Sequence, residues 1–239
     1  MHLIIDQGNS YTKVALFEGA GLHEFYRFDD LQLASYLTEL SPSIVDVFVS
    51  TVRASVGESI ESLKSKHRVT LLDRSMKLPI AFNYKTFDTL GLDRIANACA
   101  VHYLFPNQNC LVIDAGTCVT YSVIKNGAFI GGAVSPGLQM RFKSLHQFTG
   151  RLPLLSSSTE SVETTGKSTE ESIFSGVEIG ITKEIEGMID SFCSENGPLN
   201  VILTGGDGSY LGSRLKSPIF ANENLTLEGL NQIYLYQLT

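Results

Sequence analysis

Two stretches of this chain repeat one another. Residues 3–20 read LIIDQGNSYTKVALFEGA and residues 111–128 read LVIDAGTCVTYSVIKNGA, and the two align without a gap. Leu3 falls on Leu111, Ile5 on Ile113, Asp6 on Asp114, Gly8 on Gly116, Thr12 on Thr120, Gly19 on Gly127 and Ala20 on Ala128. A repeat that opens each half of a chain predicts two halves of like construction. Each copy starts with an apolar run ending in Asp, the pattern of a buried strand whose last carboxylate emerges at the sheet edge. A turn follows, in which Gly8 or Gly116 lets the backbone come close to a ligand. Asn9, Ser10 and Thr117 add hydrogen-bonding groups there. A second strand then runs to a reversal at Gly19 or Gly127, and a third apolar segment begins, so each copy is expected to be a three-stranded meander.

Beyond the first meander, the spacing predicts a helix near 30–40, a strand at 45–49, a helix near 57–66 and a strand at 69–72. The second half follows the same outline. A helix is expected at 137–147 and a long one at about 169–194, where Ile173, Val177, Ile181, Ile185, Met188 and Phe192 recur at helical spacing. A strand at 200–204 ends in Gly-Gly-Asp-Gly ahead of two short helices. The stretch 152–168 is rich in Ser, Thr and Glu and reads as a mobile surface loop. The Pro- and Asn-bearing junction at 105–109 places a domain boundary, giving an N-terminal domain of 1–108 and a C-terminal domain of 109–239. The expected class is α/β, two domains facing one another across a cleft.

Composition narrows the function. A formal charge of -7 with 18 basic residues in no dense patch argues against a nucleic-acid partner, because phosphate backbones are gripped by clustered Lys and Arg. An anionic ligand must then be held by backbone amides, a few cations and metal ions. No run of about 20 apolar residues exists to span a membrane. The opening MHLIIDQGNS has no basic leader, so a cytoplasmic protein is expected. Cysteines 99, 110, 118 and 193 have neither zinc-site spacing nor the density of a disulfide scaffold, and buried thiols are the simpler reading.

Asp6 and Asp114, in register in the two copies, are candidates to hold a hard cation that bridges nucleotide phosphates. One Asp-x-Gly would be explained by its own turn; two favour a phosphate site. The amides after each Asp could grip an anion without a Walker motif, which the sequence lacks. Lys13 would add charge to the phosphates or be a solvated surface group, and its position does not choose. Gly205, Gly206, Asp207 and Gly208 would let a flat ring or ribose approach the backbone, or form a tight strand-to-helix turn. Asp93 opens a helical pattern over 90–105. It is either the N-cap or the acceptor of a substrate hydroxyl proton, with Arg94 beside it to pair an acidic substrate group. Ser168-x-x-Glu171 fits a capping box next to Thr169.

In order and spacing, Asp6-x-Gly8-Asn9-Ser10-x-x-Lys13, Gly91-x-Asp93-Arg94 with Ala96-Asn97-Ala98, Asp114-x-Gly116-Thr117, Gly131-Gly132 with Pro136-Gly137, and Thr169 ahead of Ser175-Gly176 resemble type III pantothenate kinases. The likeness extends to Leu227-Glu228-Gly229-Leu230. It implies two ribonuclease-H-like domains of the actin-like ATPase superfamily and transfer of the ATP γ-phosphoryl group to pantothenate, the first step of coenzyme A synthesis. It further implies that Asp6, Gln7, Gly8, Asn9, Ser10, Tyr11, Thr12, Lys13 and Thr117 bind ATP with Mg2+. Asp114 would hold a monovalent cation, K+ or NH4+, and Asp93 would accept the proton. Tyr84, Gly91, Leu92 and Arg94 would line the pantothenate pocket, and Thr169 would reach the substrate at a homodimer interface. Gln7 departs from the aliphatic residue usual there, and Ser172 from the usual Ala. The rival readings are a kinase for another small hydroxy substrate, such as a sugar, and a nucleotide-binding transcriptional accessory protein.

Overall fold

The repeat folds twice into the same kind of sheet. A computed structural model of the chain describes residues 1–8, 11–157 and 161–239. It opens with β1 (His2–Gln7), β2 (Thr12–Glu18) and β3 (Gly21–Phe28), then α1 (Asp30–Thr38), β4 (Asp46–Thr51), α2 (Glu58–Ser62) and β5 (Arg68–Leu71). A two-residue strand β6 (Ala81–Phe82) and α3 (Leu92–Leu104) follow. The second meander is β7 (Cys110–Ala115), β8 (Cys118–Lys125) and β9 (Ala128–Pro136). After it come α4 (Leu138–Gln147), α5 (Thr169–Phe174), α6 (Gly180–Asn196), β10 (Asn200–Thr204), α7 (Gly208–Gly212), β11 (Phe220–Ala221) and α8 (Leu225–Tyr236). Among the described residues no helix is long and apolar enough to cross a membrane.

Strands run β3-β2-β1-β4-β5 in the first unit and β9-β8-β7-β10-β11 in the second. In both, the meander is antiparallel and the later strands join the first one in parallel. The repeat predicts two halves of like construction, and this is the ribonuclease-H-like arrangement that the resemblance implies for them. β1 and β7 lie at the centre and are apolar on both faces, as strands covered from two sides must be. Leu3, Ile4, Ile5, Leu111 and Ile113 are all fully buried. Leu3, Ile5, Val47 and Val49 pack on Leu33 and Leu37 of α1 and Ile60 of α2, and on the opposite face Phe48 meets Tyr234 of α8. In the second unit Leu111, Ile113, Tyr121 and Val123 pack with Phe142 of α4 and Ile181 and Ile185 of α6.

The gapless repeat slips once. Gln7 pairs with Thr12, leaving residues 8–11 between the strands, whereas Ala115 pairs with Val119, leaving only 116–118. The ladders that follow are therefore offset by one residue. At the next reversal the two-residue turns are Gly19-Ala20 and Asn126-Gly127, so Gly19 (φ 57°) stands where Asn126 (φ 52°) stands, not where Gly127 does. Asn-Gly with both φ positive is a type I′ hairpin turn.

The long helix is continuous but contains a π turn at Ser175–Ile179 between α5 and α6. Glu178 sits in that turn, 1% exposed, and accepts a 2.5 Å hydrogen bond from the Tyr210 hydroxyl. Residues 161–168, ahead of α5, carry no helix or strand, yet they are tied to it. Ser175 Oγ donates to Thr164 O (2.6 Å), and a Cβ on Gly166 would lie 2.3 Å from Ser172 N. The cysteines are all free, with Cys99 and Cys110 buried and Cys118 and Cys193 partly so.

The expected domain limits need one correction. The compact units are Met1–Pro106 with Asn224–Thr239, and Asn107–Glu223, so the last helix does not belong to the C-terminal half. α8 packs backbone to backbone on α3. A Cβ on Gly229 would come within 1.9 Å of Ala96 O, and Thr226 Oγ1 donates to Asn97 Oδ1 (2.9 Å). His2 Nε2 and Asn231 Oδ1 are 2.5 Å apart, and Asn231 Nδ2 donates to Gly19 O (2.9 Å).

Gly229→Ala should force α3 and α8 apart and cost on the order of 3 kcal/mol, read as a lower urea midpoint. Acid should loosen the same helix. Burial, assisted by the N-terminal ammonium, pulls the His2 pKa below its usual 6.5 against the opposing pull of Asn231 and Asp46. The folded state thus binds fewer protons than the unfolded one. The His2 contribution is whole above pH 6.5 and is lost as pH falls through the folded pKa. Between pH 7.5 and 5.5 the urea midpoint should fall more in the wild type than in His2→Gln; equal falls would remove His2 from this role.

Candidate active site

The first tip joins β1 to β2. Asp6 ends the apolar run half-buried, with Lys13 of β2 and Ser50 of β4 as its ladder neighbours and therefore on the same face. Gly8 N donates to Tyr11 O (3.1 Å), and a Cβ on Gly8 would crowd that oxygen at 3.0 Å. Gln7 and Thr12 point inward, 1% and 0% exposed, and Thr51 Oγ1 donates to Gln7 Oε1 (2.9 Å). Both were expected to contact ATP, and with side chains inside the fold such contacts would run through the backbone. Tyr11 is exposed, with the Arg27 guanidinium 3.9 Å above its ring. Asn9 and Ser10 lie outside the described residues. Arg53, which no sequence pattern singled out, braces the tip. Its Nε donates to Gly8 O (2.9 Å) and its Nη1 to both carboxylate oxygens of Asp30 (2.9 Å each).

The second tip joins β7 to β8 and is tighter, with Gly116 N donating to Cys118 O (2.9 Å). Asp114 is half-buried, beside Thr120 of β8 and Thr204 of β10 on the ladder. The Thr204 hydroxyl is buried with no hydrogen-bond partner among the described residues. Two glycines explain how chain can lie over this tip. Gly137 N donates to Thr117 O (3.1 Å), and a Cβ there would sit 2.1 Å from Gly116 O. Gly205, at φ 96°, has room for no Cβ either, since one would sit 2.3 Å from Ala115 O. Only glycine permits both approaches. The Gly-Gly-Asp-Gly cluster therefore packs on the tip's own strand, which sequence spacing could not reveal.

Asp93 is not the N-cap of α3. Gly91 caps the helix and Asp93 is its second residue, where its Oδ1 accepts from Arg94 N (2.8 Å). A Cβ on Gly91 would fall 2.3 Å from that Oδ1, so the glycine of Gly91-x-Asp93 makes space for the carboxylate. A carboxylate in the first turn is also favoured by the helix dipole. Arg94 is 6% exposed. Burial lowers its pKa, while charge interactions with Tyr84 and Asp93 and a hydrogen bond to Tyr84 oppose that shift. The structure thus brings Tyr84, Gly91, Asp93 and Arg94 together, with Leu92 in the same turn. Arg74 Nη2 donates to Leu90 O (2.7 Å) and secures the approach to this turn.

Thr169 is the exposed first residue of α5 and lines a groove of about 720 Å3 with Leu145, Leu152, Gly166, Ser172 and Ile173. Ser168 caps α5 by accepting from Glu171 N (3.2 Å). The expected capping box is altered, because Glu171 Oε2 takes the N–H of Lys167 (2.7 Å) and not that of the cap itself.

Comparison with known proteins identifies the family. The family profile of type III pantothenate kinases matches residues 2–191. A type III pantothenate kinase of Christiangramia forsetii is 41% identical over 243 residues, and one of Cytophaga hutchinsonii is 42% identical over 239; each alignment covers 100% of both chains. Among solved structures, a Campylobacter jejuni protein assigned to the Baf family of transcriptional activators has a TM-score of 0.67 at 21% identity. It covers 99% of this chain and 98% of its own, and at that identity the likeness concerns the fold. The chain belongs to the type III pantothenate kinase family.

Proposed function

We propose that this chain transfers the γ-phosphoryl group of ATP to the primary hydroxyl of pantothenate, giving 4'-phosphopantothenate, the first step of coenzyme A biosynthesis. The observation that carries the reading is the cluster of Tyr84, Gly91, Asp93 and Arg94 at the start of α3, in a chain about 40% identical along its full length to named pantothenate kinases. A substrate carrying both a carboxylate and a hydroxyl suits that cluster, since Arg94 can pair the carboxylate while Asp93 receives the hydroxyl.

A carboxylate is a weak base toward an alcohol. Asp93 therefore orients the hydroxyl and collects its proton late, after most of the bond to phosphorus has formed. Catalysis then rests on positioning and charge neutralisation. The turn at Gly8, with Tyr11 and Lys13 beside it, and the Gly116–Thr117 turn would receive the phosphates of ATP, which arrives with Mg2+. Oxygen donors suit a hard cation. The Asp114 carboxylate, next to the buried and unpartnered Thr204 hydroxyl, fits a monovalent ion such as K+ or NH4+, whose contribution would be fixed positive charge near the phosphates. Thr169 would reach the substrate at the interface of a homodimer.

Incubation with ATP, Mg2+ and pantothenate should yield phosphopantothenate, with more product in K+ or NH4+ than in Na+. ATP consumption with a sugar but not with pantothenate would move the reading to a sugar kinase, and no turnover with either would favour a regulatory nucleotide-binding role. Asp93→Asn should lower kcat by about 100- to 10,000-fold with ATP affinity little changed. Near-normal turnover by the folded variant would remove Asp93 from the role. Asp114→Asn should erase the K+ response; a variant still activated by K+ would place the ion elsewhere.

A further inference from the structure

Arg141 lies in the first full turn of α4, beyond the Pro136-Gly137 corner, and its guanidinium makes three hydrogen bonds. Nε donates to Pro136 O (2.9 Å), and Nη2 donates to Ser135 Oγ (2.8 Å) and to Glu184 Oε2 of α6 (2.7 Å). The other oxygen of Glu184 accepts from the Tyr121 hydroxyl (3.3 Å) on β8, the strand that leaves the second tip. The Arg141 and Glu184 side chains are 20% and 30% exposed, shielded enough for the pair to hold a fixed geometry. The corner they hold touches the tip directly. Gly137 N donates to Thr117 O (3.1 Å), Arg141 N closes the helix turn on Gly137 O (3.1 Å), and a Cβ at 137 would sit 2.1 Å from Gly116 O. With no slack at that contact, a displaced corner displaces the tip.

We propose that Arg141, held by Glu184, is a positioning residue for the nucleotide: by fixing the Pro136-Gly137 corner it sets where the Gly116–Thr117 tip stands. The inference rests on the reading of that tip as a phosphate contact. The geometry calls for a planar fork. One guanidinium serves a main-chain carbonyl, a hydroxyl and a carboxylate from two edges, which a single ammonium on a flexible stem cannot reproduce. Arg141 does not touch the reacting groups in this scheme, so its removal should act on nucleotide use and not on the acceptor.

Steady-state kinetics with pantothenate and ATP separate the possibilities, with circular dichroism and thermal melting to show that each variant is folded. Arg141→Met should raise the KM for ATP by roughly ten- to a hundred-fold, the scale on which small misplacements of reacting groups are felt, and leave the KM for pantothenate near the wild-type value. Arg141→Lys keeps the charge beside Glu184 without the fork and should show the same split in milder form, which carries the test if the Met variant does not fold. Gly116→Ala is the reference for the tip itself. A Cβ there would meet nothing nearer than 3.9 Å within the chain, so this variant should fold normally and weaken ATP use. Unchanged ATP KM in the folded Arg141 variants, or equal rises in both KM values, would overturn the proposal. If Gly116→Ala weakens ATP use at the same time, the tip reading survives that failure. An unaffected Gly116→Ala would overturn the tip reading and the proposal with it.

Discussion

The structure depends on burying one strand completely in each unit. β1 and β7 are covered on both faces and flanked by strands on both edges, so their backbone groups find partners on either side. Such a strand can carry a carboxylate only where cover ends, and Asp6 and Asp114 stand at that point. A side chain there is half-shielded from water, and it is held by the stiffest part of the fold. The following turn inherits the same rigidity, which is what an enzyme needs if its work is to place phosphates and not to react with them.

The two copies of this device are no longer chemically alike. One extra residue in the first tip puts a lysine opposite Asp6, whereas the shorter second tip puts a threonine opposite Asp114. A shift of one position in the ladder is thus enough to give two otherwise equivalent carboxylates different neighbours. Each tip is also braced by an arginine shared with a carboxylate from a helix, Arg53 with Asp30 and Arg141 with Glu184, although the two braces grip different parts of the backbone.

Much of this was legible in the sequence because periodicity and repetition report on burial. The meanders, the helices of the second half and the strand at 200–204 follow from apolar spacing, and the ordered motifs named the family. What escaped was set by contacts between distant residues. The one-residue slip is invisible because Thr12 and Thr120 match in type while occupying different ladder positions. Asp93 reads as a cap from its neighbours alone, and only the space left by Gly91 shows the carboxylate folded back over the helix start. Arg53 and Arg141 belong to no local pattern, since their partners lie 23 and 43 residues away. The last helix could not be assigned to a unit by composition, for its apolar residues would suit either core.

That last helix changes how the chain can be assembled. Residues 107–223 form a segment inserted between two parts of the first unit, whose closing contact joins His2 to Asn231 across 229 positions of sequence. The inserted unit is one unbroken stretch of chain that carries β7 to β11 and can begin to fold as it is synthesised. The first unit cannot finish until residues 225–236 leave the ribosome, and its α3 surface, shaped for a glycine-lined helix, must wait uncovered through the synthesis of everything between. The half of the sequence made first is therefore the half completed last, and the period of exposure in the cell is fixed by the length of the insert.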